Sequence, residues 1–251
     1  MSAGNLRGRT ALVTGARDGI GLAIAKALAR EGCAVMRTDV GKENSSESYY
    51  GADLADPQQI QELVKATEAK LGPVDILVNN AVTRHNAEVE ALPVEKWNQA
   101  LAVNLSAPFH LIRLTLPGMK ERRWGRIINL ASTYGLIGTP RRADYVTTKH
   151  GLVGLTRVVA LEAAQYNVTC NALCPAAVAT ENTRKLVAER SKTKAQSPQE
   201  AEAEFLAERQ PTRRLVTPER IAALVLFLCS EEACDMTGTP IPIDGGWLSR
   251  A

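Results

Sequence analysis

Tyr145 and Lys149 stand four positions apart in the segment ADYVTTKHG, residues 143–151. On a helix, positions i and i+4 share a face, so the spacing predicts a phenol and an ammonium presented side by side. Such a pair suits proton transfer. A hydride leaves an alcohol carbon only when the hydroxyl proton leaves as well, and a free phenol, with a pKa of about 10, is a poor base at neutral pH. A cationic Lys149 nearby would stabilise the phenolate and lower that value. The spacing arises easily by chance, so the rest of the chain must supply an orienting group, a hydride acceptor and a scaffold.

Ser132 closes the apolar run GRIINLAS, residues 125–132, where it would hold a substrate oxygen in line by hydrogen bonding. Asn104, within ALAVNLSAPFHLI, has two readings. It would partner a water that connects Lys149 to solvent, or it is a helix-interior asparagine satisfied by its own backbone.

The hydride acceptor is suggested by TGARDGIG, Thr14 to Gly21, which lies between the apolar TALVTG and the alanine-rich IGLAIAKALAREG. Gly15, Gly19 and Gly21 would let the backbone turn tightly and approach a pyrophosphate seated on the helix N-terminus, with Ile20 as a neighbouring contact. Asp39 ends the next apolar run, CAVMRTD, near where a dinucleotide fingerprint expects a carboxylate on the adenosine ribose. A carboxylate there repels a 2′-phosphate and Asp18 adds negative charge, whereas Arg17 and Arg37 argue for NADP; the expected cofactor is NAD. The alternative for Asp39 is a turn-forming carboxylate at a strand end. Asp53 and Leu54, in GADLADP, fall at a turn that would meet the adenine edge, and Asn80 and Ala81 follow Asn79 at the end of DILVNNA.

These residues need a frame that gathers strand ends. Six runs read as strands, TALVTG, CAVMRTD, DILVNNA, GRIINLAS, VTCNALCP and PIPIDGG, with helical-period segments between most of them. The alternation predicts an α/β fold, a doubly wound Rossmann-type parallel sheet with helices on both faces. No linker or repeat divides the chain, so residues 1–251 read as a single domain. The charged, alanine-rich stretch at about 181–212 reads as a pair of inserted surface helices, either a solvated face or a lid over a cleft.

Composition excludes several classes. A net charge of +3 over 251 residues carries no electrostatic footprint for nucleic acid or an anionic membrane. The longest apolar run, IAALVLFLC, is too short to span a bilayer, and MSAGNLRGRT lacks the apolar core of a signal peptide, so a cytoplasmic protein is expected. Five cysteines match no zinc or redox spacing, and His85, His110 and His150 form no i,i+4 pair, so no metal site is expected.

In order along the chain, TGARDGIG, NNA, Asn104, Ser132, Tyr145 with Lys149, and the closing DGGW resemble the short-chain dehydrogenase/reductase family over essentially the whole length. Within it, LPGMKERRWGRIINLAS, YVTTKHGLVGLTRVVALE, VTCNALCP and QPTRRLVTPE are most similar to the D-3-hydroxybutyrate dehydrogenase branch. The resemblance implies a homotetramer and hydride transfer between NAD and a secondary alcohol, with Tyr145 as base and Lys149 as its activator. It also implies cofactor contacts at Pro175, Val178 and Thr180.

Departures bear on the substrate. Val82 stands where the family has the glycine of N-N-A-G, and Ala176 where it has the glycine of P-G. Where the branch binds its small hydroxy acid, this chain has Arg84 for a glutamine, Tyr134 for a histidine, Arg142 for a lysine and Leu186 for a glutamine, while Trp247 agrees. Arginine offers a planar fork suited to carboxylate, sulfonate or phosphate. The expected substrate is an anionic secondary alcohol or its ketone, larger than 3-hydroxybutyrate or carrying a second acidic group that reaches Arg84. The alternative places Arg84, Arg141 and Arg142 at the surface or a subunit interface. Two other functions stay open: a catalytically idle NAD-binding scaffold, and a ketone reductase acting on a non-acid substrate.

Overall fold

The computed structural model describes residues 6–41 and 48–249; the expected domain limits at residues 1 and 251 lie outside them. Seven strands form one sheet, β1 (Thr10–Thr14), β2 (Ala34–Asp39), β3 (Tyr49–Gly51), β4 (Val74–Asn79), β5 (Gly125–Leu130), β6 (Val168–Pro175) and β7 (Pro240–Ile243). Their order is β3-β2-β1-β4-β5-β6-β7, every pairing parallel. The order reverses between β1 and β4, which opens a crevice at the carboxyl edge, where ligands bind in such sheets.

Every residue of β1, β4, β5 and β6 is buried, as continuous apolar runs require when helices cover both faces. One face is covered by α1 (Gly19–Arg30) and α8 (Pro218–Cys229), through Ile24, Leu28, Ile221 and Val225. The other is covered by α2 (Pro57–Leu71), α4 (Ala107–Glu121) and α5 (Ala143–Ala163), through Ile60, Leu63, Leu111 and Val159. Local signals set the helix ends. Asp56 caps α2 by accepting from the Gln58 amide at 2.8 Å, Pro57 fills the first position, and Gly72, with φ 94°, ends it.

Between β4 and α4 run α3 (Val94–Leu101) and a π-helical turn (Ala102–Ser106). The stretch read as two inserted helices contains α6 (Glu181–Lys194) and α7 (Pro198–Ala207), the latter opened by a reciprocal capping box between Ser197 and Glu200. Val187, Ala201, Phe205 and Leu206 form a small core of their own, apart from the two cores on the sheet faces. Ion pairs among Arg190, Lys194, Glu204 and Glu208 tie the two helices together. Of the five cysteines, Cys33, Cys170, Cys174 and Cys229 are buried thiols and Cys234 is exposed. Burial pushes Cys33, Cys170 and Cys229 up to about 12 and Cys174 up to about 11.

Candidate active site

The carboxyl end of β5 and the first turns of α5 bring Ser132, Tyr145 and Lys149 to one point. Ser132 is buried, and its Oγ accepts from the Tyr134 amide at 3.2 Å, starting a short 3₁₀ turn, Thr133–Gly135. That turn lies so close to α5 that a Cβ on Gly135 would sit 2.9 Å from the Lys149 carbonyl. The Lys149 ammonium lies 5.6 Å from the centre of the Tyr145 ring and donates to the Leu130 carbonyl.

Burial shapes the electrostatics. It raises the Tyr145 phenol, opposed first by a hydrogen bond from Ser132 and then by the charges of Arg84 and Arg142. It lowers Lys149 to about 7, with Cys174 opposing and Arg84 reinforcing the shift. A poorly solvated wall penalises charge on both groups, raising the phenol and lowering the ammonium.

Asn104 lies in the π-helical turn, is 1% exposed, and is not satisfied by its own helix. Its amide nitrogen donates to the Thr83 carbonyl at 2.8 Å and to Thr148 Oγ1 at 3.2 Å, and its oxygen accepts from the Thr83 amide at 2.8 Å. The extra residue of a π turn re-aims a side chain, here into the gap between the loop after β4 and α5.

Beside this group, the loop from Gly15 to Gly19 enters α1. Gly15 has φ 60°, and a Cβ on it would sit 2.7 Å from the Ala81 Cα. The Asn80 side chain donates to the carbonyls of Thr14 and Gly15 at 3.0 and 2.8 Å, which fixes the turn. Asp39 accepts from the Arg17 amide at 3.3 Å and the Val40 amide at 2.8 Å, so its carboxylate faces the mouth of this loop.

The cleft above has a volume of about 600 Å³ and is lined on its floor by Ser132, Tyr145 and Lys149. Tyr134 stands edge-on to both Tyr145 and Trp247, with ring centres 6.4 and 5.4 Å apart. Arg84 and Arg142 line one wall; Lys185, Leu186, Phe205 and Arg209 from α6, α7 and the residues just past α7 line another. Lys185 pairs with Glu181 and Arg209 with Glu208, whereas among the described residues no carboxylate forms an ion pair with Arg84 or Arg142.

A family model described as Enoyl-(Acyl carrier protein) reductase matches residues 15–248. The chain belongs to the short-chain dehydrogenase/reductase family. It is 42% identical to a D-beta-hydroxybutyrate dehydrogenase of Cupriavidus necator, over 98% of this chain and 100% of the relative. A second protein of that name, from Rhizobium meliloti, is 37% identical over 96% of this chain and 99% of the relative. Among solved structures, an actinorhodin polyketide ketoreductase variant crystallised with NADPH superposes with a TM-score of 0.88 at 34% identity, covering 95% of this chain and 97% of that one. A levodione reductase gives the same TM-score at 30% identity, covering 98% and 99%.

As a short-chain dehydrogenase/reductase, the chain is an oxidoreductase that acts on hydroxy or keto groups with a nicotinamide cofactor. Part of the motif set lines one crevice. Ile20, Asn80, Pro175, Val178 and Thr180 line the cleft with the floor residues, and so do Arg84, Tyr134, Arg142, Leu186 and Trp247. Thr180 also caps α6, accepting from the Thr183 amide at 3.4 Å. Asp18 is exposed at the start of α1, and its charge acts on Lys185 across the loop. Asp53 is exposed and accepts from the Ala55 amide at 2.9 Å, while Leu54 is buried in the core beneath it. Val82 is exposed at the cleft mouth, and Ala176 donates its amide to the Ile243 carbonyl at 3.1 Å. Sequence reading missed Asn86, Glu189, Phe205 and Arg209 as lining residues; only the position of the last three in the inserted stretch hinted at them.

Proposed function

We propose that the chain is an NAD(H)-dependent dehydrogenase of anionic secondary alcohols, chemically related to 3-hydroxybutyrate but with a rebuilt acid-binding wall. The observation that carries this reading is the placement of Arg84 and Arg142, which form no ion pair with a carboxylate among the described residues, beside Ser132, Tyr145 and Lys149. Both arginines act electrostatically on the Tyr145 phenol, so an acid bound to them has its hydroxyl within reach of the proton-transfer group.

The glycine cradle fits a dinucleotide, because a Cβ at Gly15 would collide with Ala81 and one at Gly21 with the Gly15 carbonyl and Asn80, so only glycine allows the tight turn that brings main chain and helix N-terminus up to a pyrophosphate. Asp39 at the mouth of the cradle favours the free ribose hydroxyls of NAD. Bound there, NAD supplies the hydride acceptor. Ser132 orients the substrate oxygen, and Tyr145 Oη takes its proton. For this step Tyr145 acts as a phenolate beside a protonated Lys149; it becomes the neutral phenol as it accepts the proton, and Lys149, brought to about 7, can then release its own proton to solvent. Trp247, Tyr134 and Leu186 shape the apolar side of the pocket, and α6 with α7 serve as its cover. A homotetramer accompanies this reading on the strength of the family resemblance.

A second reading, NADP as cofactor, draws on Arg17, whose guanidinium reaches the Val40 carbonyl at 3.4 Å beside Asp39.

The test is the initial rate of NADH formation from NAD with D-3-hydroxybutyrate, a longer hydroxy acid and a hydroxy-dicarboxylate, in the wild type and in Arg84→Glu and Arg142→Glu. Turnover of at least one acid, with a Michaelis constant raised at least tenfold by either charge reversal, is expected. An unchanged constant in both variants overturns the anionic substrate.

A further inference from the structure

A carboxylate that the mechanism does not use lies next to the catalytic tyrosine. Asp144 is 1% exposed in the first turn of α5, immediately before Tyr145. Its Oδ2 accepts from the His85 main-chain amide at 2.9 Å and lies 3.3 Å from His85 Nδ1, a contact that spans 59 residues of chain. Its Oδ1 is buried without a hydrogen-bond partner. Burying a half-satisfied carboxylate is costly, and the N-terminal turn of a helix only partly offsets it. A structural aspartate would be satisfied more cheaply, so its position calls for a function.

What Asp144 holds is the loop that carries Arg84. Thr83 is clamped on both its amide and its carbonyl by the Asn104 side chain, and His85 is clamped by Asp144. Two residues on, the Ala87 amide donates to the Arg141 carbonyl at 3.2 Å. Arg84 therefore lies between two fixed neighbours, its backbone tied to α5 on one side and to the π-helical turn on the other. Its own side chain is left to line the cleft. The charge of Asp144 also acts on Arg142, opposing the burial that lowers that guanidinium.

We propose that Asp144, through His85, is a positioning residue for substrate specificity. It fixes the loop so that Arg84 and Arg142 present their guanidinium groups at a set distance from Tyr145. It touches neither substrate nor cofactor; it acts through Arg84. This rests on the anionic-substrate reading above, and it assigns the task to a tether rather than to the arginines alone.

The experiment compares the wild type with Asp144→Ala, Asp144→Asn and His85→Ala, using with NAD the hydroxy acid that the wild type turns over best among the three named above, paired with the uncharged butan-2-ol. NADH affinity and amide hydrogen exchange at residues 83–87 are measured alongside. In Asp144→Ala, the Michaelis constant for the acid is expected to rise at least tenfold, with kcat within about threefold and butan-2-ol kinetics unchanged. The His85 amide should exchange at least tenfold faster. Asp144→Asn keeps an acceptor for that amide and restores most of the affinity. His85→Ala, which keeps the amide clamp and so serves if Asp144→Ala does not fold, shifts the acid constant in the same direction by about threefold.

Equal losses on both substrates, or an asparagine variant as impaired as the alanine one, overturn the tether. So does an unchanged acid constant in His85→Ala. If the wild type itself shows no preference for the acid, the anionic-substrate reading fails, and unchanged exchange at His85 in Asp144→Ala then rejects the tether on its own ground.

Discussion

The Lys149 ammonium donates to the main-chain carbonyl of Leu130, the last residue of β5, and the residue is only 3% exposed. That single acceptor does not replace a hydration shell, which is why burial brings the group from its ordinary 10.5 to about 7. The unfolded chain keeps this proton up to about 10.5, whereas the folded chain releases it near 7. Between those values the unfolded state binds more protons, so stability rises with pH. Above about 9, the buried cysteines reverse the sign, because their thiols stay protonated longer in the fold. Urea denaturation at pH 7 and pH 9 should show the wild type gaining on the order of 2 kcal/mol over that interval relative to Lys149→Met. Parallel pH dependence in the two proteins would place the lysine in contact with solvent.

Tyr145→Phe removes the proton acceptor but keeps the ring that stacks edge-on with Tyr134. Turnover should fall by on the order of 10²- to 10⁴-fold while NADH still binds, as read by steady-state rates and fluorescence titration. Retained turnover would move the proton-transfer role to another group.

Asp39 holds its place through two main-chain amides and presents negative charge at the mouth of the cradle. Asp39→Ala removes that repulsion, and the ratio of kcat/KM for NAD over NADP should drop by at least tenfold, about 1.4 kcal/mol. A ratio that does not move, or a wild type that prefers NADP, would favour the reading built on Arg17.

Gly21 has no room for a methyl group: a Cβ there would lie 2.3 Å from the Gly15 carbonyl oxygen and 2.6 Å from Asn80 Nδ2. Gly21→Ala must push the loop outward, at a cost of about 1–3 kcal/mol in stability. Because the displaced atoms belong to the cradle, NADH affinity should fall with it. A variant with wild-type melting temperature and affinity would show that the loop yields freely.

Much of this was legible in the sequence, for physical reasons. β4, β5 and β6 are buried on both faces, so their residues read as apolar runs, and each ends in the residues that face the crevice. Ser132, Tyr145 and Lys149 were legible because their local elements determine where they point. β3 was not foreseen: it is a three-residue edge strand, Tyr49–Gly51, too short to carry a period. The π-helical turn at Asn104 has no sequence signature, and its side chain found partners in another segment rather than in its own helix. The tether between Asp144 and His85 and the placement of Arg209 depend on contacts between distant segments, which no spacing rule encodes.

The separate core of α6 and α7 has an engineering consequence. Val187, Ala201, Phe205 and Leu206 satisfy one another, and the hairpin meets the remaining apolar structure chiefly through Ala177 and Leu215. The hairpin is thus a detachable cassette. Its exchange for a counterpart of different length or charge would redraw one wall of the cleft while the sheet, the glycine cradle and the proton-transfer residues stay in register. Selection for new substrates in a scaffold of this kind has a separate part to act on, one that leaves the chemistry where it is.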